Sequence, residues 1–183
     1  MPDISESDTV AGVYVVEPEI HGDRRGLFIE TYRRSWFPHG REMVQGNRGN
    51  RIAGCLVGLH YHLHQADYWY VPFGVARVVL HDLREGGPTD GATLSLELSG
   101  ENHVGVFIPP GVAHGFSAVT DMTITYLVDG YYNQADELGV AWDDPAVNAD
   151  WGGSEPVLSA RDQKNPRRSE LDPQFQPHVN LRT

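Results

Sequence analysis

Two histidines one residue apart, His60 and His62, are the first side chains in this sequence that could carry out chemistry. They belong to the run Leu59-His60-Tyr61-His62, whose apolar and aromatic residues predict a β-strand. Side chains along a strand alternate between its two faces, so His60 and His62 share one face. Histidine can serve as acid, base or metal ligand near neutral pH. If that face lines a barrel, the two rings create a polar pocket suited to a small molecule.

The elements that must position these histidines are short strands separated by turn residues. Runs rich in Val, Ile, Tyr and Phe alternate with Gly, Pro, Asp and Asn, a pattern typical of a sandwich or a closed barrel. The predicted strands are Val13–Val16, Leu27–Tyr32, Ile52–His62, Tyr68–Val71, Ala76–Asp82, Leu94–Leu98, Val104–Ile108 and Ile124–Val128. Helical periodicity is weak, and only Arg34–Val44 and the region after Asn133 could hold a short helix. We predict one all-β domain over residues 1–183, with a core at about 10–162 and a polar segment at 163–183.

The composition excludes several classes of protein. Lys and Arg total 14 against 25 for Asp and Glu, and the resulting net charge of −11 would repel nucleic acids and anionic membranes. The single cysteine, Cys55, cannot form an internal disulfide, and its apolar neighbours favour a buried, unreactive thiol. The first residues lack the basic and apolar regions of a signal peptide, and no run approaches about 20 apolar residues. We therefore expect a soluble, cytoplasmic protein with no nucleic-acid or membrane partner.

A series of motifs in a fixed order carries more information than any single residue. The motifs are Asp23–Glu30, Val44–Asn47, Gly58–Tyr61, Asp82–Arg84 with Pro88–Gly91, Ile108–Phe116, Tyr131-Tyr132, Glu137, Trp142–Pro145 and Leu158–Asp162. In this order they resemble the dTDP-4-dehydrorhamnose 3,5-epimerase family. The resemblance implies a cupin-type jelly-roll β-barrel, a homodimer, and a nucleotide-linked 4-keto-6-deoxyhexose as the substrate of an isomerase in deoxysugar biosynthesis.

The resemblance also implies roles for individual residues. His60 corresponds to the catalytic base, Asp162 to the carboxylate that orients it, and Tyr126 to the acid that returns a proton from the opposite side. This division of labour suits the reaction, because a proton next to a ketone is removed on one face and replaced on the other. The residues expected to bind the nucleotide sugar are Arg25, Glu30, Gln45, Asn47, Tyr132 and Glu137.

Three positions depart from the family pattern. Val57 stands where the family has an arginine that is expected to hold substrate phosphate. His62 replaces a glutamine. Asp67 replaces a lysine of the active site, which reverses the charge where an enolate must be stabilised.

The same departures resemble the pattern of metal-binding cupins. In those proteins H-x-H is followed by a carboxylate and a glycine, and a second motif reads P-x-G-x-x-H. His60, His62, Asp67 and His114 fit this pattern and would form a site with three histidines and one carboxylate. Such ligands suit Fe, Mn, Ni, Zn or Cu, and the sequence does not select among them.

Three hypotheses follow. The first is an epimerase that acts at C3, C5 or both and needs no cofactor. The second is a metal-dependent cupin enzyme, either an oxygenase or a metal-assisted isomerase, in which His60 is a ligand and cannot be the free base. The third is a sugar-nucleotide binding module that has lost catalysis.

Overall fold

The fold was analysed on a computed structural model that describes residues 1–37, 41–153 and 155–179. In this part of the chain, thirteen strands form. In chain order they are β1 (Asp3–Glu6), β2 (Tyr14–Glu17), β3 (Ile20–Asp23), β4 (Gly26–Ile29), β5 (Gln45–Arg51), β6 (Leu56–Tyr61), β7 (Asp67–Phe73), β8 (Val75–Asp82), β9 (Thr93–Ser99), β10 (Gly105–Ile108), β11 (Val112–Ala118), β12 (Met122–Val128) and β13 (Leu138–Gly139). Single 3₁₀ turns occur at Arg34–Trp36, Gln134–Asp136, Asp162–Lys164, Arg168–Glu170 and Pro173–Phe175.

The strands form two antiparallel sheets and a separate hairpin. One sheet has the order β1-β2-β10-β7-β12-β5, and the other has the order β13-β6-β11-β8-β9. Strands β3 and β4 pair only with each other among the described residues. The alternation of strands between two facing sheets is that of a jelly roll, so the predicted all-β cupin-type fold is confirmed.

The two sheets enclose an apolar core at one end of the barrel. Val71 of β7, Val78 and Leu80 of β8, Val106 of β10 and Ile124 of β12 are at most 2% exposed and belong to one cluster. Burial of side chains of this size contributes about 1.5–3 kcal/mol each to stability. This core fixes the spacing of the sheets, and polar residues nearer the other end line a cavity.

Several predicted element boundaries differ from the structure. The strand predicted over Ile52–His62 begins only at Leu56, because a turn precedes it and Gly54 there has a φ of +80°. Strand β5 was not predicted because its sequence, Gln45–Arg51, contains no apolar residue. Strand β11 was not predicted either. The helix predicted over Arg34–Val44 includes residues 38–40, which lie outside the described residues, and the described part contains only the turn Arg34–Trp36.

Candidate active site

A cavity of about 290 Å³ opens between the two sheets and contains most of the predicted site residues. Strands β5, β7 and β12 line it from one sheet, and β6 and β11 line it from the other. Its lining residues are Gln45, Asn47, Arg51, Val57, His60, His62, Gln65, Asp67, Trp69, His114, Phe116, Ile124, Tyr126, Val128, Tyr132, Glu137 and Arg161. The volume is at the lower end of the range for ligand pockets, so it fits a single sugar ring better than a whole nucleotide sugar.

His60 and Asp162 form a hydrogen-bonded pair at the wall of this cavity. His60 projects from β6, and Asp162 begins the 3₁₀ turn Asp162–Lys164 in the C-terminal segment. His60 Nε2 lies 2.6 Å from Asp162 Oδ1, and the Asp162 side chain is only 3% exposed. Burial alone would raise the pKa of Asp162, but the His60 ring, the Ser159 hydroxyl and the backbone N–H of Gly58 together lower it. Asp162 is therefore ionised at neutral pH. A His60 ring with a single proton donates its Nε2–H to this carboxylate and keeps the lone pair on Nδ1.

Tyr126 lines the cavity from the other sheet. It lies on β12, where Ile124, Tyr126 and Val128 share the face that borders the cavity. Burial, together with the negative charges of Asp67 and Glu137, raises the pKa of the Tyr126 hydroxyl despite the opposing effect of Arg51. The phenol is therefore protonated at neutral pH and can donate a proton.

Three of the four predicted metal ligands converge on one point of the cavity. Ligand atoms of His62, Asp67 and His114 all lie within 4.8 Å of one another, and all three residues are buried. His60 is not part of this group, and its Nε2 is hydrogen-bonded to Asp162 instead. The arrangement differs from the four-ligand set predicted from spacing, since residues on one face of a strand need not point their ring nitrogens in one direction.

Most of the predicted substrate-binding residues line the mouth of the cavity. Gln45 Nε2 donates to Asn47 Oδ1 at 3.0 Å, and the backbone N–H of Tyr132 donates to Gln45 Oε1 at 3.2 Å. Arg161 forms an ion pair with Glu137 at 3.4 Å. The Tyr132 ring is 67% exposed, so one of its faces is free to contact a ligand.

The structure does not bring Arg25 and Glu30 into the cavity. Arg25 lies at the end of the β3–β4 hairpin and forms an ion pair with Asp23 at 2.6 Å. Glu30 pairs with Arg33 at 2.9 Å. The hairpin stands apart from both sheets, so these two residues cannot contact a ligand in the cavity of the same chain as it is arranged here.

Arg51 lines the cavity although it was not predicted. It follows Gln45 and Asn47 on the same face of β5, so strand alternation from those two residues would have identified it. Arg51 and Val57 line the same cavity. A guanidinium is thus available close to the position where the family's arginine is replaced by valine. Gln65, Trp69 and Arg161 were also missed, although Arg161 belongs to the motif Leu158–Asp162.

Comparison with known proteins agrees with this geometry. The profile of the family described as dTDP-4-dehydrorhamnose 3,5-epimerase matches residues 7–170. A protein of that name from Neisseria gonorrhoeae is 37% identical over 157 residues, which cover 82% of this chain but only 48% of that longer protein. No helix among the described residues is long and apolar enough to span a membrane.

Two solved structures share the fold over nearly their full length. The first is a dTDP-6-deoxy-D-glucose-3,5-epimerase from Legionella pneumophila in complex with dTDP-4-keto-L-rhamnose. It has a TM-score of 0.91 and 30% identity, and the match covers 97% of this chain and 98% of that one. The second is ChmJ, a 3′-monoepimerase from Streptomyces bikiniensis in complex with dTDP-quinovose. It has a TM-score of 0.89 and 30% identity, with coverage of 95% and 93%.

These matches confirm the predicted resemblance and the predicted class of enzyme, an isomerase that acts as an epimerase. The profile match spans most of the chain, and the fold is the one that the motifs predicted. The chain therefore belongs to the dTDP-4-dehydrorhamnose 3,5-epimerase family.

Proposed function

We propose that this protein inverts C3, C5 or both in a dTDP-linked 4-keto-6-deoxyhexose. The observation that carries the proposal is that His60, hydrogen-bonded to Asp162, and Tyr126 line one cavity from opposite sheets. Inversion at carbon needs a base on one face of the sugar and an acid on the other. The solved relatives bind dTDP-linked sugars, which supports dTDP as the nucleotide.

The proton transfers can be assigned to individual atoms. His60 Nδ1 removes the proton from the carbon next to the ketone, and the electron pair of the broken C–H bond forms an enolate. The buried carboxylate of Asp162 stabilises the imidazolium that results. Tyr126 then donates its hydroxyl proton to the opposite face of the same carbon. The tyrosinate regains a proton from solvent and His60 loses one, so the enzyme returns to its starting state.

Binding of the rest of the substrate involves the mouth of the cavity. Because the cavity accommodates about one sugar ring, the diphosphate and the nucleoside must lie outside it. Within the described part of the chain, Arg51 and Arg161 line the cavity, and they offer guanidinium groups to the diphosphate. The exposed ring of Tyr132 is positioned to stack on the thymine base.

A homodimer would explain the positions of Arg25 and Glu30. The β3–β4 hairpin exposes Leu27 by 59% and Phe28 by 69%, an apolar surface that would be buried against a second copy of the chain. In such a dimer the hairpin could bring Arg25 and Glu30 to the partner's cavity. Sedimentation at micromolar concentration tests this proposal, and a monomer that turns over substrate would contradict it.

Deuterium exchange tests the proposed reaction directly. The purified protein is incubated in D₂O with dTDP-4-keto-6-deoxyglucose, and deuterium at C3 and C5 is followed by NMR. We expect incorporation at one or both carbons together with inversion. Binding of the nucleotide sugar without exchange at either carbon would contradict an epimerase and favour a binding module.

A further inference from the structure

His62, Asp67 and His114 present their free ligand atoms to one another inside the cavity. His62 donates its Nδ1–H to the backbone carbonyl of Asp136 at 2.7 Å, and His114 donates its Nδ1–H to that of Val112 at 2.9 Å. In the neutral rings, each Nε2 therefore carries a lone pair. Both Nε2 atoms lie 3.9 Å from the Asp67 carboxylate, one from each oxygen.

The contacts among these three residues are not hydrogen bonds. A separation of 3.9 Å is too long for one, and a lone pair on nitrogen is not attracted to a carboxylate oxygen. Within the described residues, the carboxylate accepts hydrogen bonds from Gln65 Nε2 at 3.0 Å and Trp69 Nε1 at 3.1 Å. Neither donor carries a charge. The cluster therefore has a buried negative charge and two nitrogen lone pairs facing a common centre without a positive group between them.

This arrangement has the features of a transition-metal site. Two imidazole nitrogens and one carboxylate are a common ligand set for Zn(II) and Fe(II), with further positions open to substrate. Histidine ligands of metals usually donate their other ring N–H to a carbonyl or carboxylate, as both rings do here. Bonds of about 2.0–2.1 Å would require the ligand atoms to move together by less than about 1 Å from their present spacing.

Among the residues that the structure describes, no lysine and no arginine without an acidic partner or an edge position is available to stabilise the enolate oxygen of the proposed reaction. The only lysine of the chain is Lys164, which is exposed outside the cavity. Of the two arginines that line the cavity, Arg161 is held by Glu137. Arg51 lies on β5, at the edge of its sheet.

We propose that His62, Asp67 and His114 bind one divalent transition-metal ion in the cavity, where it acts as Lewis acid on the C4 carbonyl of the substrate. The Lewis-acid role rests on the proposed epimerase function, whereas binding of the ion does not. The bound ion supplies positive charge next to the developing enolate. His60 lines the same cavity but is not part of the group of ligand atoms that lie within 4.8 Å of one another, so the base and the metal are separate groups in one site.

The test of binding uses Co(II) as the probe, since its visible absorption reports tetrahedral or five-coordinate ligation by nitrogen and oxygen. Protein purified without a metal-affinity column is stripped with chelator, dialysed and titrated with Co(II). We expect one equivalent to bind with micromolar or tighter Kd. The isosteric substitution Asp67→Asn should weaken binding at least about 100-fold. The control, His60→Asn, should bind Co(II) within about threefold of the wild type.

The outcomes separate this inference from the proposed function. A Kd above about 1 mM, or equal affinity of the wild type and Asp67→Asn, overturns the metal site whether or not the protein exchanges deuterium. His62→Gln repeats the comparison if Asp67→Asn does not fold, as judged by circular dichroism.

A second measurement tests the Lewis-acid role. Stripped protein should exchange deuterium into the substrate at least about tenfold more slowly than protein reloaded with Zn(II) or Fe(II). Equal rates overturn the role of the metal in catalysis but leave the epimerase function intact. A metal-loaded protein that exchanges no deuterium at all overturns the epimerase function, while the titration alone then decides the metal site.

Discussion

Replacing Asp162 by Asn isolates the contribution of one negative charge to the proposed base. The substitution keeps the size of the side chain, and the amide oxygen can still accept hydrogen bonds from His60 and from the backbone N–H of Gly58. It removes the charge that faces the imidazolium formed during proton abstraction. The variant should therefore fold normally and bind substrate normally, but react slowly.

The size of the effect follows from the distance between the two groups. At 2.6 Å, opposite unit charges attract by about 6 kcal/mol at an effective dielectric constant of about 20. Much of this is offset by the loss of hydration of the buried carboxylate, so a net value near that of a charge-assisted hydrogen bond, about 1.5–3 kcal/mol, is expected. This corresponds to a fall in kcat of roughly 10- to 150-fold.

The assay separates a catalytic effect from a structural one. Initial rates of deuterium incorporation give kcat and KM, and we expect kcat to fall while KM stays within about threefold, because Asp162 contacts His60 and not the substrate. Asp150→Asn is the matched control, since the Asp150 side chain is 82% exposed and its contacts with Arg77 and with the backbone N–H of Gly152, both at 2.9 Å, lie at the surface. A kcat for Asp162→Asn within threefold of the wild type would refute the reasoning.

Three further predictions address the acid, the phosphate contact and the C-terminal segment. Tyr126→Phe should reduce the formation of inverted product at least about 100-fold, while His60 still catalyses deuterium exchange into the substrate with retention of configuration. If NMR shows that both inversion and exchange are lost, Tyr126 is needed before the proton is returned. Arg51→Gln should raise KM, or the Kd for dTDP by calorimetry, about 10- to 100-fold with little change in kcat, and an unchanged Kd would remove Arg51 from the phosphate site. Burial and the charge of Arg168 lower the pKa of His81 from 6.5 to about 4. As the pH falls, His81 is therefore protonated near pH 6.5 in the unfolded state but only near pH 4 in the folded state, so acid favours unfolding. The free energy of unfolding should accordingly fall by roughly 3 kcal/mol between pH 7 and pH 4 on account of His81. In urea titrations, His81→Asn should lose this part of the pH dependence. An equal change in the free energy of unfolding with pH in both proteins would contradict this assignment.

The sequence was sufficient to predict three of the strands that form the apolar core, although β11, which also contributes to it, was missed. Tyr68–Val71, Ala76–Asp82 and Ile124–Val128 are rich in β-branched and aromatic residues, and they pair in the two sheets close to the predicted bounds. Strand β5 could not be predicted in this way. It is held by backbone pairing with β12 from one end to the other, while its side chains face the cavity or solvent, so no hydrophobic pattern marks it.

The site was predicted less completely than the fold. Motif order pointed to His60, Tyr126 and Asp162; the first two line the cavity, and Asp162 is hydrogen-bonded to His60. The spacing of the motifs could not show that His60 Nε2 is hydrogen-bonded to Asp162. The two residues are 102 positions apart in the sequence, and the turn at Asp162–Lys164 brings them together. That Arg25 and Glu30 lie outside the cavity depends on where a hairpin packs, which local sequence does not encode. The cytoplasmic location remains a prediction.

The attachment of Asp162 to the segment that follows the barrel has a consequence for how activity is acquired. The barrel supplies the cavity, but Asp162 lies on the segment that follows the barrel. Hydrogen bonds hold this segment in place: Leu56 N–H to the Val157 carbonyl, Arg168 to His81, and the Tyr61 hydroxyl to the Phe175 carbonyl. During synthesis, the strands that line the cavity therefore leave the ribosome before Asp162, the carboxylate that supports the proposed base. Release of this segment by partial proteolysis would remove Asp162 together with its neighbour Arg161, which lines the cavity, while the cavity walls formed by the strands would remain. One break in the segment would therefore weaken both turnover and the binding of the substrate diphosphate.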